Sequence, residues 1–172
     1  GWNPITALNV SANVSLKFLD AYNFPLATLT SIDVTNNSNL EVLNIGSNQI
    51  TSLDLSNNSK LRYLSVSDNI LATLDVSNMP FLETLLCGHS WSTNYGGQLT
   101  SLNVTNNPLL TSLHCGGNQI SGSLDLSNNT LITWLTCEKN MITNLDLSSL
   151  SSLLHLDCSD NNLFELNIAN GN

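Results

Sequence analysis

Positive charge is nearly missing from this 172-residue chain: four lysines and arginines stand against thirteen aspartates and glutamates, for a formal net charge of −9. A duplex or an anionic membrane needs a stripe of basic side chains to displace counterions from phosphates, and four cations cannot make one. Nucleic acid is therefore excluded as a partner. No apolar run approaches the roughly 18–20 residues of a membrane-spanning helix, so membrane insertion is excluded too. The amino terminus shows no basic segment leading into an apolar one, so neither signal nor anchor is visible, and a start at Gly1 keeps this silent about compartment. G-x-S-x-G, Walker-type and H-E-x-x-H patterns are lacking, which leaves no motif for a catalytic nucleophile, a nucleotide or a metal cofactor. Charged residues make up 10% and aromatics 6%, yet 41% of residues are hydrophobic, too many for intrinsic disorder. What fills the chain instead is 33 Leu, 27 Asn and 23 Ser, nearly half of all residues.

That surplus is periodic. The triplets Leu8-Asn9-Val10, Ile32-Asp33-Val34, Leu53-Asp54-Leu55, Leu74-Asp75-Val76, Leu102-Asn103-Val104, Leu124-Asp125-Leu126, Leu145-Asp146-Leu147 and Leu166-Asn167-Ile168 recur at spacings of 24, 21, 21, 28, 22, 21 and 21 residues. Between them runs a second pattern, Leu40-x-x-Leu43-x-Ile45-x-x-Asn48-x-Ile50, repeated from Leu61, Leu110, Ile132 and Leu153, with degenerate copies from Leu16 and Leu82. A fixed period of this length marks a solenoid, in which each repeat is one coil.

The pattern L-x-x-L-x-L-x-x-N-x-L resembles the leucine-rich repeat, over residues 8 to about 168. The T-S-L-D-L-S-N-N half and a Cys in the third apolar strand position narrow the resemblance to bacterial surface repeats of the internalin type, with the cysteine ladder of the internalin J kind. The resemblance implies a secreted or wall-attached adhesin, hence a binding role outside the cell or at a bacterial surface. The helical amino-terminal cap and the carboxy-terminal immunoglobulin-like segments of that family have no counterpart here. The expectation is one leucine-rich-repeat domain over 1–172, of about seven to eight coils with an insertion at about 88–97. Its fold class is the leucine-rich repeat solenoid of the α/β horseshoe class, but β-rich with little helix: a right-handed coil with a parallel β-sheet on the concave face.

The physics of the pattern supports that fold. In Leu43-Asn44-Ile45 the period-2 alternation turns two apolar side chains inward and one residue outward, and copies in register pair as parallel strands over a shared core. The sharp turn after each strand strands backbone N–H and C=O groups, and Asn48, Asn69, Asn118, Asn140 and Asn161 place an amide, both donor and acceptor, at that point. A second Asn set (Asn36, Asn57, Asn78, Asn106, Asn128) follows the L-D-L triplet and predicts a second ladder at the opposite turn. Since the triplets also alternate with period 2, two parallel ladders are expected. The last coil is expected to expose an apolar edge, which allows a monomer or a weak dimer through uncapped ends.

Cys87, Cys115, Cys137 and Cys158 all occupy one repeat position, pointing inward from consecutive strands. Parallel Cβ vectors are poor geometry for disulfides and a line of thiols is no zinc site, so free buried thiols are expected and no metal. Asp33, Asp54, Asp75, Asp125 and Asp146 form an outward column interrupted by Asn9, Asn103 and Asn167. Neighbouring Ser and Thr offer it hydroxyl donors; the alternative, calcium, needs several oxygens per turn and glycine for close approach. The Asn-x-Ser/Thr triplets at Asn9, Asn13, Asn36, Asn57, Asn103 and Asn128 are by-products of the turn pattern. Enzyme chemistry is not expected, because no nucleophile sits within reach of a histidine.

Ligand-binding residues are expected on the outward strand positions and in the insertion: Phe18, Tyr63, Trp91, Tyr95, His114, Trp134, Glu138, His155 and Asp157. Exposed aromatics beside small polar residues suit a protein, peptide or carbohydrate ligand. The same aromatics also stabilise sheet pairing, and the insertion, Gly88 to Gly97 with Trp91 and Tyr95, reads equally as a binding loop or a tolerated surface loop. The functional expectation is a non-catalytic extracellular binding or adhesion module, with a structural spacer of a larger surface protein as the alternative.

Overall fold

The computed structural model describes residues 4–89 and 97–169. Each coil contributes one three-residue strand centred on a leucine: β1 (Phe18–Asp20), β2 (Val42–Asn44), β3 (Tyr63–Ser65), β4 (Thr84–Leu86), β5 (Ser112–His114), β7 (Trp134–Thr136) and β9 (His155–Asp157). They form one seven-stranded parallel sheet in the order β1-β2-β3-β4-β5-β7-β9. The register aligns Leu19, Leu43, Leu64, Leu85, Leu113, Leu135 and Leu156. Leu43, Leu64, Leu85, Leu113 and Leu135 are fully buried, as are Ile45, Cys115 and Cys137 at the next inward position. The expected β-rich leucine-rich repeat solenoid is therefore what the chain forms, and no helix occurs among the described residues.

The second parallel ladder is shorter than the alternation predicts. It consists of β6 (Ser121–Ser123), β8 (Met141–Asp146) and β10 (Glu165–Asn167), in the order β10-β8-β6, with a lone bridge between Asn9 and Asp33. The triplets at 53–55, 74–76, 102–104 and 124–126 form no strand. The third-residue carbonyls of the triplets belong to the turn that follows: Val34 O accepts from Asn37 N at 2.9 Å and from Asn58 Nδ2 of the next coil at 3.1 Å, and Val104 O from Asn107 N and Asn129 Nδ2, both at 2.9 Å. The register of β6 on β8 slips between Gly122, at φ +78°, and Ser123: Gly122 faces Ile142 and Ser123 faces Asn144, passing over Thr143 of β8.

The corner after the main sheet carries the coil-to-coil connection. Asn69 Nδ2 donates to Ile45 O of the preceding coil and to Val66 O and Ser67 O of its own, at 3.0, 3.0 and 3.3 Å. Its Oδ1 accepts from Ile50 N of the preceding coil at 2.9 Å. Asn48, Asn118, Asn140 and Asn161 repeat this arrangement, so each amide staples two coils. To bring the amide in, the preceding residue takes left-handed backbone: Ser47, Asp68, Lys139 and Asp160 at φ of 52–55°, and Gly117 at 70°. For an L-residue that conformation costs about 1 kcal/mol, which the four hydrogen bonds outweigh.

At the opposite turn the asparagine row is double, and the expected set is the outer half of it. Asn57, Asn78, Asn106 and Asn128 are exposed or partly so and donate to Thr35 O, Ser56 O, Ser77 O and Thr105 O. The buried row lies one residue further on. Asn37, Asn58, Asn107 and Asn129 are fully buried and each donates to two carbonyls of the coil before. Their Oδ1 atoms have no partner, so the turn uses only the donor half of the amide. Met79 and Leu150 replace the inner Asn in two coils, and there Asn78 and Ser149 reach the abandoned carbonyls of Leu55 and Leu126. The last coil exposes Leu154, Phe164, Leu166 and Ile168.

The two rows should respond differently to substitution. Asn69→Leu leaves buried donors and acceptors unpaired on two coils and is expected to cost about 3 kcal/mol. Asn58→Met copies the natural Met79 and also removes an orphaned acceptor, so about half that loss is expected. Urea unfolding of the two variants checks the order; equal losses contradict the assignment.

Candidate ligand-binding face

Because the strands are in register, every outward position forms a row across the sheet. The row before the central leucine reads Phe18, Val42, Tyr63, Thr84, Ser112, Trp134 and His155; the row after it reads Asp20, Asn44, Ser65, Leu86, His114, Thr136 and Asp157. Trp134 and His155 stack with ring centroids 4.0 Å apart and planes 20° from parallel. His114 leans across from the neighbouring row to 6.1 Å from Trp134, at 29°. Three of the expected site residues thus form one stack over β5, β7 and β9. Ser112 and Thr136 hold the His114 ring through both nitrogens, at 3.0 and 3.1 Å. Burial, and secondarily the neighbouring His155, push the His114 imidazole below its ordinary range, which keeps it a hydrogen-bonding rather than a charged group near neutrality. Trp134 remains 45% exposed, with both ring faces flanked by histidine and its edge presented to solvent.

Asp157 lies beside this stack, its carboxylate accepting from the Ser159 backbone N–H and hydroxyl at 3.0 and 2.6 Å. Those bonds, the hydroxyl first, hold it below the usual carboxylate range. Glu138 follows two residues after β7, and its carboxylate folds back over Gly116, where a Cβ would meet it at 2.4 Å. Phe18 and Tyr63 do not join the group. Tyr63 is three strands from Trp134 and Phe18 is five strands away, at the opposite edge of the sheet.

Trp91 and Tyr95 lie outside the described residues. The frame of their segment is clear, however. Gly88 and His89 match Gly46 and Ser47 of the second coil, and Leu99 matches Ile50, since its N–H donates to Asn118 Oδ1 as Ile50 donates to Asn69. Gly97 therefore takes the place of the ladder asparagine, and a Cβ there would lie 2.1 Å from Asn118 Oδ1. Residues 90–96 are the additional ones by this alignment, at the corner where the coils of β2, β3, β5, β7 and β9 hold Asn48, Asn69, Asn118, Asn140 and Asn161. The missing amide leaves a cavity of about 10 Å³ lined by Asp68, Asn69, His89 and Asn118 among others, room for one water. His89 Nδ1 is 3.4 Å from Asp68 Oδ1, and both side chains are nearly buried.

The remaining sequence features are structural. Cys87, Cys115 and Cys137 are buried free thiols and Cys158 is partly buried. Burial pushes Cys87 and Cys137 up to about 12, and Cys115 well above its ordinary value. In the Asp column each carboxylate closes a turn by accepting from the N–H two residues on: Thr35, Ser56, Ser77, Ser127 and Ser148 at 2.9–3.0 Å. Asn9 and Asn103 do the same with an amide oxygen, which explains why Asn substitutes freely for Asp. No group of three or more metal-ligating side chains occurs among the described residues. Sequence reasoning missed a row of alternating charge just before the strands: Lys17 pairs with Glu41 at 2.8 Å, and Arg62 pairs with Glu83 while lying over Phe81 at 6.0 Å. Its signal was the + − + − order of residues 17, 41, 62 and 83 once the repeats are aligned.

These features define a leucine-rich repeat solenoid, and comparison with solved structures agrees. The functional domain of InlJ from Listeria monocytogenes, which includes a cysteine ladder, is 34% identical, with a TM-score of 0.67 over 96% of this chain and 39% of that one. A Leptospira interrogans leucine-rich repeat protein is 20% identical, with a TM-score of 0.69 over 90% of this chain and 45% of that one. A plant peptide hormone receptor, RGFR1, solved in complex with RGF2, is 22% identical, with a TM-score of 0.73 over 90% of this chain and 26% of that one. The chain thus spans less than half the length of each. No protein-family model matches it, and no curated protein matches it by sequence. The chain is an internalin-like leucine-rich repeat solenoid.

Two outcomes follow from the titrating groups. In the native protein Cys158 should react with a disulfide reagent well before Cys87, Cys115 and Cys137, which should need unfolding; labelling followed by mass spectrometry reads the order. The five Asp carboxylates all have lowered pKa values, from the Thr35 and Ser77 hydroxyls first at Asp33 and Asp75, and from the backbone N–H first at Asp54, Asp125 and Asp146. Their stabilisation is present above the ordinary carboxylate pKa of about 3.9 and is lost as pH falls through the depressed native values. Asp54→Asn with Asp75→Asn should leave Tm unchanged at pH 7 and flatten its fall between about pH 4 and 2.

Proposed function

We propose that this chain is a non-catalytic binding or adhesion module, acting outside the cell or at a bacterial surface, that takes a protein or peptide ligand on the solvent face of its seven-stranded sheet. The observation that carries the reading is the His155–Trp134–His114 stack: a large aromatic, 45% exposed, between two rings, of which His114 is itself fixed by the Ser112 and Thr136 hydroxyls. A preorganised aromatic anchor loses little entropy on binding and is the usual centre of interface energy. Asp157 and Glu138 surround it on the same face. A carbohydrate would need an open aromatic face to stack on, whereas Trp134 offers its edge, which fits a groove or side chain of a polypeptide better. The plant receptor with a similar fold is bound to a peptide hormone partner, and InlJ is a bacterial relative in sequence; both support the reading. Phe18 and Tyr63 belong to a separate part of the same face, outside the proposed anchor.

The test is selection of peptides by display on the intact chain, followed by affinity measurement. Trp134→Ala should weaken selected binders tenfold or more, while Phe18→Ala changes affinity less than twofold. Full affinity in Trp134→Ala removes the site.

A further inference from the structure

The row three positions beyond each central leucine reads Tyr22, Gly46, Ser67, Gly88, Gly116, Glu138 and Ser159. In the middle of it Gly88 and Gly116 let side-chain-free backbone approach its neighbours closely on adjacent coils: a Cβ on Gly88 would lie 3.0 Å from Gly116 O, and one on Gly116 would lie 2.4 Å from Cδ, Oε1 and Oε2 of Glu138 alike. The Glu138 carboxylate is thus laid flat across the Gly116 backbone. There its Oε2 is cut off from solvent and has no hydrogen-bond partner. A carboxylate oxygen placed so is costly, and nothing among the described residues satisfies it. Its charge reaches the core, raising the Cys115 and Cys137 thiols after burial and the neighbouring thiols have done so. The flanking coils add more negative charge: Asp157 and Asp160 on one side, Asp68 on the other. Of the four cations, Lys17, Lys60 and Arg62 belong to the first and third coils of the sheet, and Lys139 directly follows Glu138 in the chain.

We propose that Glu138 with the bare Gly88–Gly116 backbone is the seat for an arginine side chain of the bound polypeptide. The inference rests on the sheet face being the binding surface and names the chemistry of its partner. No hydrogen bond to Oε2 is lost when the carboxylate lifts off Gly116, so it swings to the guanidinium and gains a bidentate, charge-assisted pair that it lacks in the free protein. Gly116, with no side chain of its own, leaves the space vacated by the carboxylate to the planar group. Glu138 lies four positions after Trp134, about 13 Å along the strand direction. An extended peptide of about four residues therefore spans both: an apolar contact on the Trp134 edge and an arginine on Glu138.

The experiment titrates the isotope-labelled intact chain with N-acetyl-arginine methylamide and with the citrulline analogue, which has the same shape without the charge, following the Gly88 and Gly116 amide signals. Arginine should give saturable shifts at both glycines, with citrulline at least tenfold weaker. Glu138→Gln and, independently, Gly116→Ala should abolish the difference, whereas Glu83→Gln should preserve it. Equal binding of the two probes to the unmodified protein, or an arginine preference that survives Glu138→Gln, overturns the seat. The display selection separates the two ideas. Binders that need Trp134 but carry no arginine enrichment refute the seat alone, while an arginine preference at Glu138 with binders indifferent to Trp134→Ala refutes the anchor alone.

Discussion

Everything in this solenoid depends on how the backbone polar groups at the corner of each coil are satisfied. A coil that turns sharply off a three-residue strand cannot bury its carbonyls in leucine and leave them unpaired. The corner asparagine resolves this with a single side chain that donates to both coils and accepts from the earlier one. Since that amide works only if the next coil sits in register one strand spacing away, satisfying the corner and stacking the coils are the same event. The leucine core is then the consequence: stacked coils bury Leu43, Leu64, Leu85, Leu113 and Leu135 in a column that no single coil could shield.

The same constraint explains where regularity is relaxed. At the opposite turn only donors are needed, and the chain tolerates Met79 and Leu150 there because Asn78 and Ser149 reach the same carbonyls. At the fourth coil the corner amide is given up to Gly97 and the inserted residues 90–96 enter, leaving a water-sized cavity beside Asp68 and His89. The array tolerates this break because the neighbouring Asn69 and Asn118 still bind their own coils.

The proposed binding site is made of residues that do none of this. A row across a parallel sheet brings side chains about 5 Å apart, close enough for rings to stack, and Trp134 has a histidine on its own row at one coil's distance and another a row across. The result is a rigid aromatic edge with unsatisfied acid nearby, on a face otherwise occupied by small polar groups. That combination is what a polypeptide-binding surface requires: one anchor that costs little to order, and one charge that gains by being paired.

The sequence by itself determined the coil. Period, leucine column, strand register and corner amides were all legible, because each is repeated and chance does not repeat. It also indicated free inward cysteines, since one repeat position cannot supply the geometry of a disulfide. At the opposite turn it showed the outer row, Asn57 and its equivalents, and missed the buried row at Asn58, because an Asn-Asn pair gives no clue to which amide points in. It predicted a full second ladder because L-D-L alternates like a strand, whereas that ladder forms only over β6, β8 and β10 and at one bridge. It placed His114, Trp134 and His155 on neighbouring strands, but their stacking, the separation of Tyr63 and Phe18 from them, and the Glu138 carboxylate lying unpaired over Gly116 were decided only in three dimensions. Periodicity fixes which residues share a row; which way a side chain turns within it depends on the neighbours that crowd it, and those are known only once the coils are stacked.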